Sequence, residues 1–230
     1  NRWKTMALVA MGQSKMITRP VAGIMHLLIY AGFIIINIEV LEIMLDGITG
    51  KHRIFADLGV LYDVLIGSFE VLALGVLVSC VVFLIRRNVL NLKRFHSKEM
   101  TTWPKSDANI ILVVEILLMF AFLSMNACDS LLQTALETAR ENGEVISESL
   151  AHYTTAGNFP ISNLLAGMYS GMEVEGLIFT ERFMWWFHIV GILAFLVYVP
   201  YSKHFHIFLA FPNTYYSNLE PKGSFNNMDA

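Results

Sequence analysis

The chain has 230 residues, of which 55% are hydrophobic and 15% are charged, and its formal net charge is −3. Soluble domains carry about 25% charged residues, so the composition excludes an ordinary soluble globular protein and favours a polytopic membrane protein. No nucleic-acid partner is expected, and membrane lipid is the first partner that the composition implies.

Four apolar segments are long enough to cross a bilayer, which takes about 20 helical residues. The predicted spans are 21–45, 57–85, 108–132 and 176–208. Pro20 precedes the first span, where its missing N–H costs little. The fourth span is longer than a bilayer needs and contains Pro200, so we expect a tilt or kink there. A short interfacial helix is expected within 160–172. The predicted fold is all-α, a polytopic transmembrane helix bundle with four spans in this chain.

The distribution of Lys and Arg predicts how the bundle is oriented. Basic residues concentrate in 1–20, in the loop after the second span and in the tail after the fourth. The basic residues of that loop are Lys93, Arg94, Lys98 and Lys105. The connection between the third and fourth spans has only Arg140. By the positive-inside rule, both ends of the chain are cytoplasmic, in a bacterial cytoplasmic (inner) membrane. The predicted organisation is a cytoplasmic segment at 1–20, a transmembrane bundle at 21–210 and a cytoplasmic linker at 211–230.

Three histidines are placed where a bundle could use them. His26 lies early in the first span and His206 late in the fourth, so the two share a cytoplasmic depth. His188 is eighteen residues before His206, close to five helical turns, and on a continuous helix both rings lie on one face. Two imidazoles that meet across a bundle interior are the usual axial pair of a b-type haem. A lone membrane histidine is more often a hydrogen-bonded structural group, but the matched depth of His26 and His206, with His188 on the same face, favours haem.

The flanking residues fit the same interpretation. Arg19 and Lys203 are well placed to meet haem propionates. His204 is two residues from His206, about 200° away on a helix, and is expected to be interfacial rather than a ligand. The loop histidines His52 and His152 are expected to be solvated; a third loop histidine is His96.

At these residues the sequence resembles the b-type cytochrome membrane subunit of respiratory nitrate reductases and the related haem subunits of membrane-bound heterodisulfide reductases. The similar pattern is His188, Pro200, Ser202-Lys203 and His206. Only the first and fourth spans carry similarity at the level of motifs.

The resemblance implies a haem b near the cytoplasm, held by His26 and His206. It also implies an outer haem on His188, but the position ten residues past His26, where the family has its partner histidine, is Ile36. The expected complement is therefore one haem b, with a second in doubt. Asn37 is the polar residue nearest the vacant position, and a hydrogen-bonding role is expected for it.

The resemblance further implies a five-helix bundle, with one helix before Asn1, and a tail that leads to a cytoplasmic iron-sulfur domain. Iron-sulfur clusters are expected only in that partner or fused domain. The implied soluble donor is electron-transferring flavoprotein or a related protein, and the implied membrane partner is a menaquinone-type quinone.

Carboxylates inside predicted spans form a second group. Charged groups at this depth are costly and usually functional or paired. Glu70 with Asn37 or His188 is expected to form a quinone pocket or proton path; an equal alternative is a hydrogen-bonded carboxyl that only fixes helix packing. The other carboxylates are Asp63 and Glu115 within spans, and Glu39, Glu42 and Asp46, which are expected to be solvated at the outer interface.

The sequence therefore predicts a quinone-linked electron-transfer component without catalytic residues of its own, because the cofactor carries the redox step. Two alternatives come from other classes: a cofactor-free proton channel or transporter, and a purely structural membrane anchor for an iron-sulfur enzyme.

Overall fold

The computed structural model describes residues 1–16, 18–90 and 102–219, and this part of the chain is helical without strands. The short helix α1 (Arg2–Met6) continues as a π-helical turn, Ala7–Met11. The long helices are α2 (Pro20–Thr49), α3 (Val60–Asn88), α4 (Trp103–Asn142) and α7 (Val174–Tyr198); the short ones are α5 (Glu148–Ala151), α6 (Ser162–Leu165) and α8 (His206–Tyr215).

The predicted all-α bundle with four spans is confirmed. Four helices are long and apolar enough to cross a membrane, and they coincide with the four predicted segments. The third is longer than predicted, because α4 reaches 40 residues. At about 1.5 Å per residue it exceeds the roughly 30 Å of a bilayer core.

The fourth span is interrupted at Pro200, where the sequence predicted a tilt or kink. It ends at Tyr198 and passes through two 3-10 turns, Val199–Tyr201 and Lys203–Phe205, before α8 begins at His206. Ser202 between the turns is extended, with φ −117° and ψ 167°. Pro200 is the cause, since proline cannot donate the backbone hydrogen bond that would continue the helix.

The long helices pack in the order α2 on α3, α3 on α4, and α4 on α7. Their shared core includes the fully buried side chains of Ile66, Ala73, Cys80 and Phe122. Because α2 and α7 make few direct contacts with each other, a cleft separates these two helices. Both cavities described below lie along it.

A second apolar core lies at the end of the bundle where α4 extends furthest. Leu132 and Leu136 of α4 pack there with Leu150 and Tyr153 of the long connection. The short helix expected within 160–172 is present as α6. It packs against α4, and Ser162 at its start is fully buried.

The two ends of the described chain meet at the opposite end of the bundle. The Arg2 guanidinium donates hydrogen bonds to the carbonyls of Tyr215 and Ser217, and Trp3 contacts the Tyr215 ring edge-on at 4.9 Å. This pairing agrees with an even number of spans. Most of the predicted basic loop, with Lys93, Arg94, His96 and Lys98, and the tail from 220 onward lie outside the described residues.

Candidate functional site

Four histidines line one cavity of about 280 Å³ in the cleft between α2 and the segment from α7 to α8. They are His26, His188, His204 and His206. The remaining walls are mainly apolar, and the exposed side chains of Phe33 and Ile34 lie at the rim. The cavity is therefore an apolar membrane site with a few converging polar groups, the usual character of a cofactor pocket.

The rings of His26 and His206 are close neighbours, as their shared depth predicted. Their centroids are 6.2 Å apart and their planes are tilted by 55°. Two imidazole nitrogens bound to one metal at about 2 Å each would place the ring centroids roughly 6 Å apart. The spacing of this pair is therefore compatible with two imidazoles that hold one metal.

The hydrogen bonds of this pair leave ring nitrogens available. Nδ1 of His206 lies 2.9 Å from the carbonyl oxygen of Lys203, and since a carbonyl only accepts, Nδ1 carries the proton and Nε2 keeps its lone pair. Metal-binding histidines are commonly oriented by such a backbone carbonyl. Nδ1 of His26 is buried and has no hydrogen-bond partner in the described structure.

His188 is held in the same way, further along the cavity. It is 1% exposed, and its Nδ1 lies 2.9 Å from the carbonyl oxygen of Leu118 on α4. Its Nε2 is therefore the unprotonated nitrogen. Ile36 lines the same cavity and has no donor atom, so α2 supplies no ligand at the position where the resembled family has one.

The prediction that His204 points away from His206 was wrong. His204 is 9% exposed, lines the cavity, and lies 6.0 Å from the His206 ring and 5.1 Å from the Phe195 ring. On a continuous helix His204 would point away from His206, but the break at Ser202 turns it inward. Burial, with the nearby His206 ring, lowers the pKa of His204 to about 4. Its Nε2 is buried without a partner.

Asp107 on α4 holds this broken segment in place and was missed by the sequence reasoning. Its carboxylate is 1% exposed and accepts hydrogen bonds from the Tyr198 hydroxyl at 2.6 Å and from the Lys203 N–H at 2.7 Å. Asp107 therefore bridges the end of α7 to the turn that carries His204 and His206. An aspartate near the start of an apolar helix gives no pattern that separates it from a solvated residue.

The other predicted cofactor-binding residues are distributed as follows. Arg19 precedes α2 as an exposed cap residue, and Lys203 is exposed next to His204. Both lie at the His26–His206 end, but neither lines the cavity. Partial burial and the nearby Arg87 lower the pKa of Lys203. Asn37 does line the cavity, where its amide donates to the carbonyl of Phe33 one turn earlier.

Glu70 is placed away from the histidine cavity. It is fully buried, and one carboxylate oxygen accepts the backbone N–H groups of Ile161 and Ser162 at 2.8 and 3.1 Å. The other accepts from the Asn126 amide at 3.2 Å. These contacts hold the start of α6 against α3, so the geometry favours the helix-packing alternative. Of the carboxylates expected within spans, Glu115 is the one that lines the cavity.

A buried polar network occupies the other end of the cleft, and its centre was not found from the sequence. The Arg53 guanidinium contacts Asp129 at 2.6 Å, Tyr62 at 2.9 Å and Asn126 at 3.0 Å. Burial alone lowers the pKa of Arg53, but the Asp129 carboxylate outweighs it and raises this pKa well above its usual value. The backbone of Arg53 has a positive φ of 53°, which is uncommon for a non-glycine residue.

The expectation that Glu39, Glu42 and Asp46 are solvated was wrong for the first two. Glu39 and Glu42 are 3% and 4% exposed, and both line a cavity together with Arg53 of the loop after α2. Glu42 accepts the Tyr62 hydroxyl and the N–H of Phe55. Asp46 is half-buried and accepts the N–H groups of residues 53 and 54.

The two described loop histidines differ in exposure. His52 was expected to be solvated, but its side chain is 8% exposed, accepts the Thr154 N–H at 3.0 Å and lies 3.5 Å from Asp129. His152 is exposed, as expected. Partial burial and the nearby Arg182 lower the pKa of His152.

The donor set fits a haem better than a simple metal ion. In the described part of the chain no three His, Cys, Asp or Glu side chains are grouped so that they could hold a metal ion. A zinc-type site needs three or four protein donors, whereas a b-type haem iron needs only axial ligands. A pair of histidines whose ring centroids lie 6.2 Å apart, one with an unpaired buried ring nitrogen, could supply two axial ligands but not the donors of a zinc-type site.

The chain is similar to two curated oxidoreductases. It is 25% identical over 218 residues, 95% of this chain and 27% of the relative, to the probable iron-sulfur-binding oxidoreductase FadF of Bacillus subtilis (strain 168). It is 26% identical over 215 residues, 92% of this chain and 27% of the relative, to the EtfAB:quinone oxidoreductase of Syntrophomonas wolfei subsp. wolfei (strain DSM 2245B / Goettingen). No family model matches the chain. No solved structure matches it.

These similarities support a general redox role. Both relatives are oxidoreductases by name, one iron-sulfur-binding and one linked to EtfAB and quinone. The chain spans about a quarter of the length of these relatives. The aligned region covers nearly the whole membrane bundle, so the similarity is not confined to the spans that carry the histidines.

Proposed function

We propose that this chain is the haem b membrane module of an oxidoreductase that transfers electrons between a cytoplasmic iron-sulfur or flavoprotein partner and a menaquinone-type quinone. The observation that carries the proposal is the His26–His206 pair, whose rings lie 6.2 Å apart across the cleft between α2 and α8. The names of the two relatives support the redox partners. A cytoplasmic iron-sulfur domain after residue 211 belongs to the same proposal.

His26 and His206 would hold the haem, which supplies reversible one-electron chemistry when bound. The protein contributes position and surroundings. The Lys203 carbonyl fixes the His206 ring, and Asp107 fixes the turn before it. Arg19 and Lys203 lie at the same end as the pair, where cationic groups would meet propionates.

The quinone would occupy the part of the cavity further from His206, where α2 offers no histidine. Asn37, Glu115 and His188 line that part, and the exposed apolar rim faces the lipid from which a quinone would enter. Nε2 of His188 can accept a hydrogen bond from a quinol hydroxyl, because its Nδ1 proton is used on the Leu118 carbonyl. Glu70 is left out of this site, because its oxygens are used on α6 and Asn126.

The test is the absorption spectrum and pyridine haemochrome content of the purified, reduced full-length protein. We expect the bands of a low-spin bis-histidine haem b at one haem per chain, lost in His26→Ala and in His206→Ala and retained in His188→Ala. Bands that persist in both of the first two variants would refute the ligand assignment.

The same preparation tests the alternatives. A chain without haem that conducts protons in liposomes would instead be a proton channel. If the haem is absent and quinone reduction is unchanged when His26, His188 and His206 are all replaced, the chain is a structural anchor.

A further inference from the structure

The second cavity of the cleft has a different chemistry from the first. It is a chamber of about 360 Å³ at the end of the bundle away from His26, and charged groups of α2, α4 and α7 and of the loop after α2 line it. We call it the acidic chamber. Its carboxylates are Glu39, Glu42, Asp46, Asp129 and Glu181. At its mouth lie the exposed residues Gly50, Lys51 and His152, so the chamber is continuous with the aqueous phase.

Four of these five carboxylates have partners that account for them. Asp129 pairs with Arg53, and Glu42 accepts the Tyr62 hydroxyl. Glu181 accepts the Tyr153 hydroxyl at 2.8 Å and lies 3.2 Å from Arg182. Asp46 accepts two backbone N–H groups of the loop after α2. These four carboxylates therefore stabilise the fold and do not require a ligand.

Glu39 is the exception. Its side chain is 3% exposed, and its Oε2 is buried without a hydrogen-bond partner in the described structure. Buried polar atoms are nearly always paired, so each unpaired one needs an explanation. An ionisable residue at membrane depth that packing does not satisfy marks an ion or proton pathway more often than a structural contact.

Glu39 also lies between the two cavities. Ile36, three residues earlier on α2, and Val40, the next residue, both line the histidine cavity. Residues three apart on a helix share a face, and Ile36 and Glu39 are both buried. One turn of α2 thus separates the unpaired carboxyl from the cavity in which we place the quinone.

We propose that Glu39 carries protons between the acidic chamber and the histidine cavity, so that quinone chemistry exchanges its protons with the side of the membrane opposite His26. This inference rests on the proposed function. A quinone that becomes a quinol takes two electrons from the soluble partner and two protons. Each proton that leaves the Glu39 carboxyl is replaced by one from the aqueous phase through the chamber, and Glu39 is unchanged after turnover.

The charges around Glu39 suit a group that changes its protonation. Arg53 faces it from the loop, and Glu42, Glu70 and Asp129 face it from α2, α3 and α4. Among these groups Arg53 is the cation, and its guanidinium is paired with Asp129 at 2.6 Å. By the positive-inside prediction, the chamber opens on the outer face.

The experiment follows the reoxidation of the reduced full-length protein by a water-soluble menaquinone analogue in stopped flow at pH 7. We expect Glu39→Gln to slow reoxidation at least tenfold while the haem content and the reduced spectrum stay at the wild-type level. Glu39→Asp, which keeps a carboxyl, should recover most of the rate. The matched control is Glu137→Gln, which removes an exposed carboxylate of α4 outside both cavities.

Wild-type reoxidation in Glu39→Gln, with a normal haem spectrum, would overturn the inference and leave the proposed function intact. A wild-type protein without haem would overturn the proposed function instead. If Glu39→Gln fails to fold, the inference is tested on the wild-type protein after treatment with a hydrophobic carbodiimide, which modifies buried carboxyl groups. Modification of Glu39, seen by peptide mass spectrometry, must then slow reoxidation at least tenfold; a modified Glu39 with an unchanged rate, or no modification of Glu39, overturns the inference.

Discussion

The carboxylate of Asp107 accepts a hydrogen bond of 2.7 Å from the backbone N–H of Lys203, and this contact joins α4 to the turn that positions His204 and His206. The same carboxylate accepts the Tyr198 hydroxyl at 2.6 Å. Asp107 therefore holds the end of the fourth span from a position 91 to 96 residues away in sequence. Asp107 acts on the histidine pair through the backbone, not through contact with it.

We expect Asp107→Asn to destabilise the protein and to lower its haem occupancy. The amide offers one accepting oxygen where the carboxylate has two, so a buried donor loses its partner, at a cost of about 1–3 kcal/mol. Thermal unfolding in detergent and the haem-to-protein ratio measure the two effects. Tyr198→Phe removes only one of the two hydrogen bonds and should lie between wild type and Asp107→Asn. Equal unfolding temperatures for all three proteins would contradict this prediction.

The two neighbouring histidines should respond differently to replacement. His206 has an oriented Nδ1 and a ring 6.2 Å from His26, whereas His204 packs against Phe195 and Phe33. We expect His204→Phe to keep the haem spectrum with a shifted reduction potential, and His206→Phe to lose it. A spectroelectrochemical titration of both variants tests this. The reverse pattern would make His204 the ligand.

The sequence was sufficient for features that depend on local pattern. Apolar length predicted the four spans, and matched depth in antiparallel spans brought His26 and His206 together. The errors arose where one backbone break or one loop changes the geometry. The turn after Tyr198 directs His204 inward, and Glu39 is buried near Arg53 of the loop after α2. Neither contact follows from helical periodicity.

The role of Glu70 also could not be predicted from local sequence pattern. A buried carboxylate gives the same sequence pattern whether it binds a quinone or caps a helix. Here it accepts the N–H groups of Ile161 and Ser162, two groups that a short helix leaves unpaired at its start. The deciding partners are 91 and 92 residues away, beyond the reach of local pattern.

We therefore expect Glu70→Gln to affect stability and not quinone affinity. The substitution weakens a charge-assisted cap and should cost about 1–3 kcal/mol in the free energy of unfolding. The KM for quinone should stay within twofold of wild type in steady-state assays. Glu115→Gln is the counterpart inside the histidine cavity and should raise this KM. A larger KM change in Glu70→Gln than in Glu115→Gln would return Glu70 to the quinone site.

The effects on stability of replacing Arg53 and Asp129, which form a buried ion pair, should be strongly coupled. Arg53→Met leaves the Asp129 carboxylate 2% exposed without its cation, and breaking a buried pair in this way costs about 3–5 kcal/mol. Replacing both residues, as in Arg53→Met with Asp129→Leu, removes the uncompensated charge. We expect the double variant to unfold at a higher temperature than Arg53→Met alone. Additive losses would show that the two residues act independently.

Gly32 tests how tightly α2 is docked beside the histidine cavity. A Cβ added there would lie 2.5 Å from Cγ2 of Val76 on α3. Valine is stiff at χ1, so Gly32→Ala must displace α2 and should cost about 1–3 kcal/mol. At Gly191 an added Cβ would meet Cδ2 of Leu118 at 2.6 Å, and this more flexible side chain can shift. We expect Gly32→Ala to lower the unfolding temperature more than Gly191→Ala does.

A second substitution identifies the cause of that loss. Val76→Ala opens the space that the new methyl group needs, so Gly32→Ala combined with Val76→Ala should unfold at a higher temperature than Gly32→Ala alone. Gly167→Ala is the control for adding a methyl group, because no atom lies within 4 Å of its Cβ position, and it should be nearly neutral. Because Gly32 also lines the histidine cavity, the haem content of Gly32→Ala should fall together with its stability. Loss of haem at an unchanged unfolding temperature would instead indicate that Gly32 is needed for close approach of the cofactor.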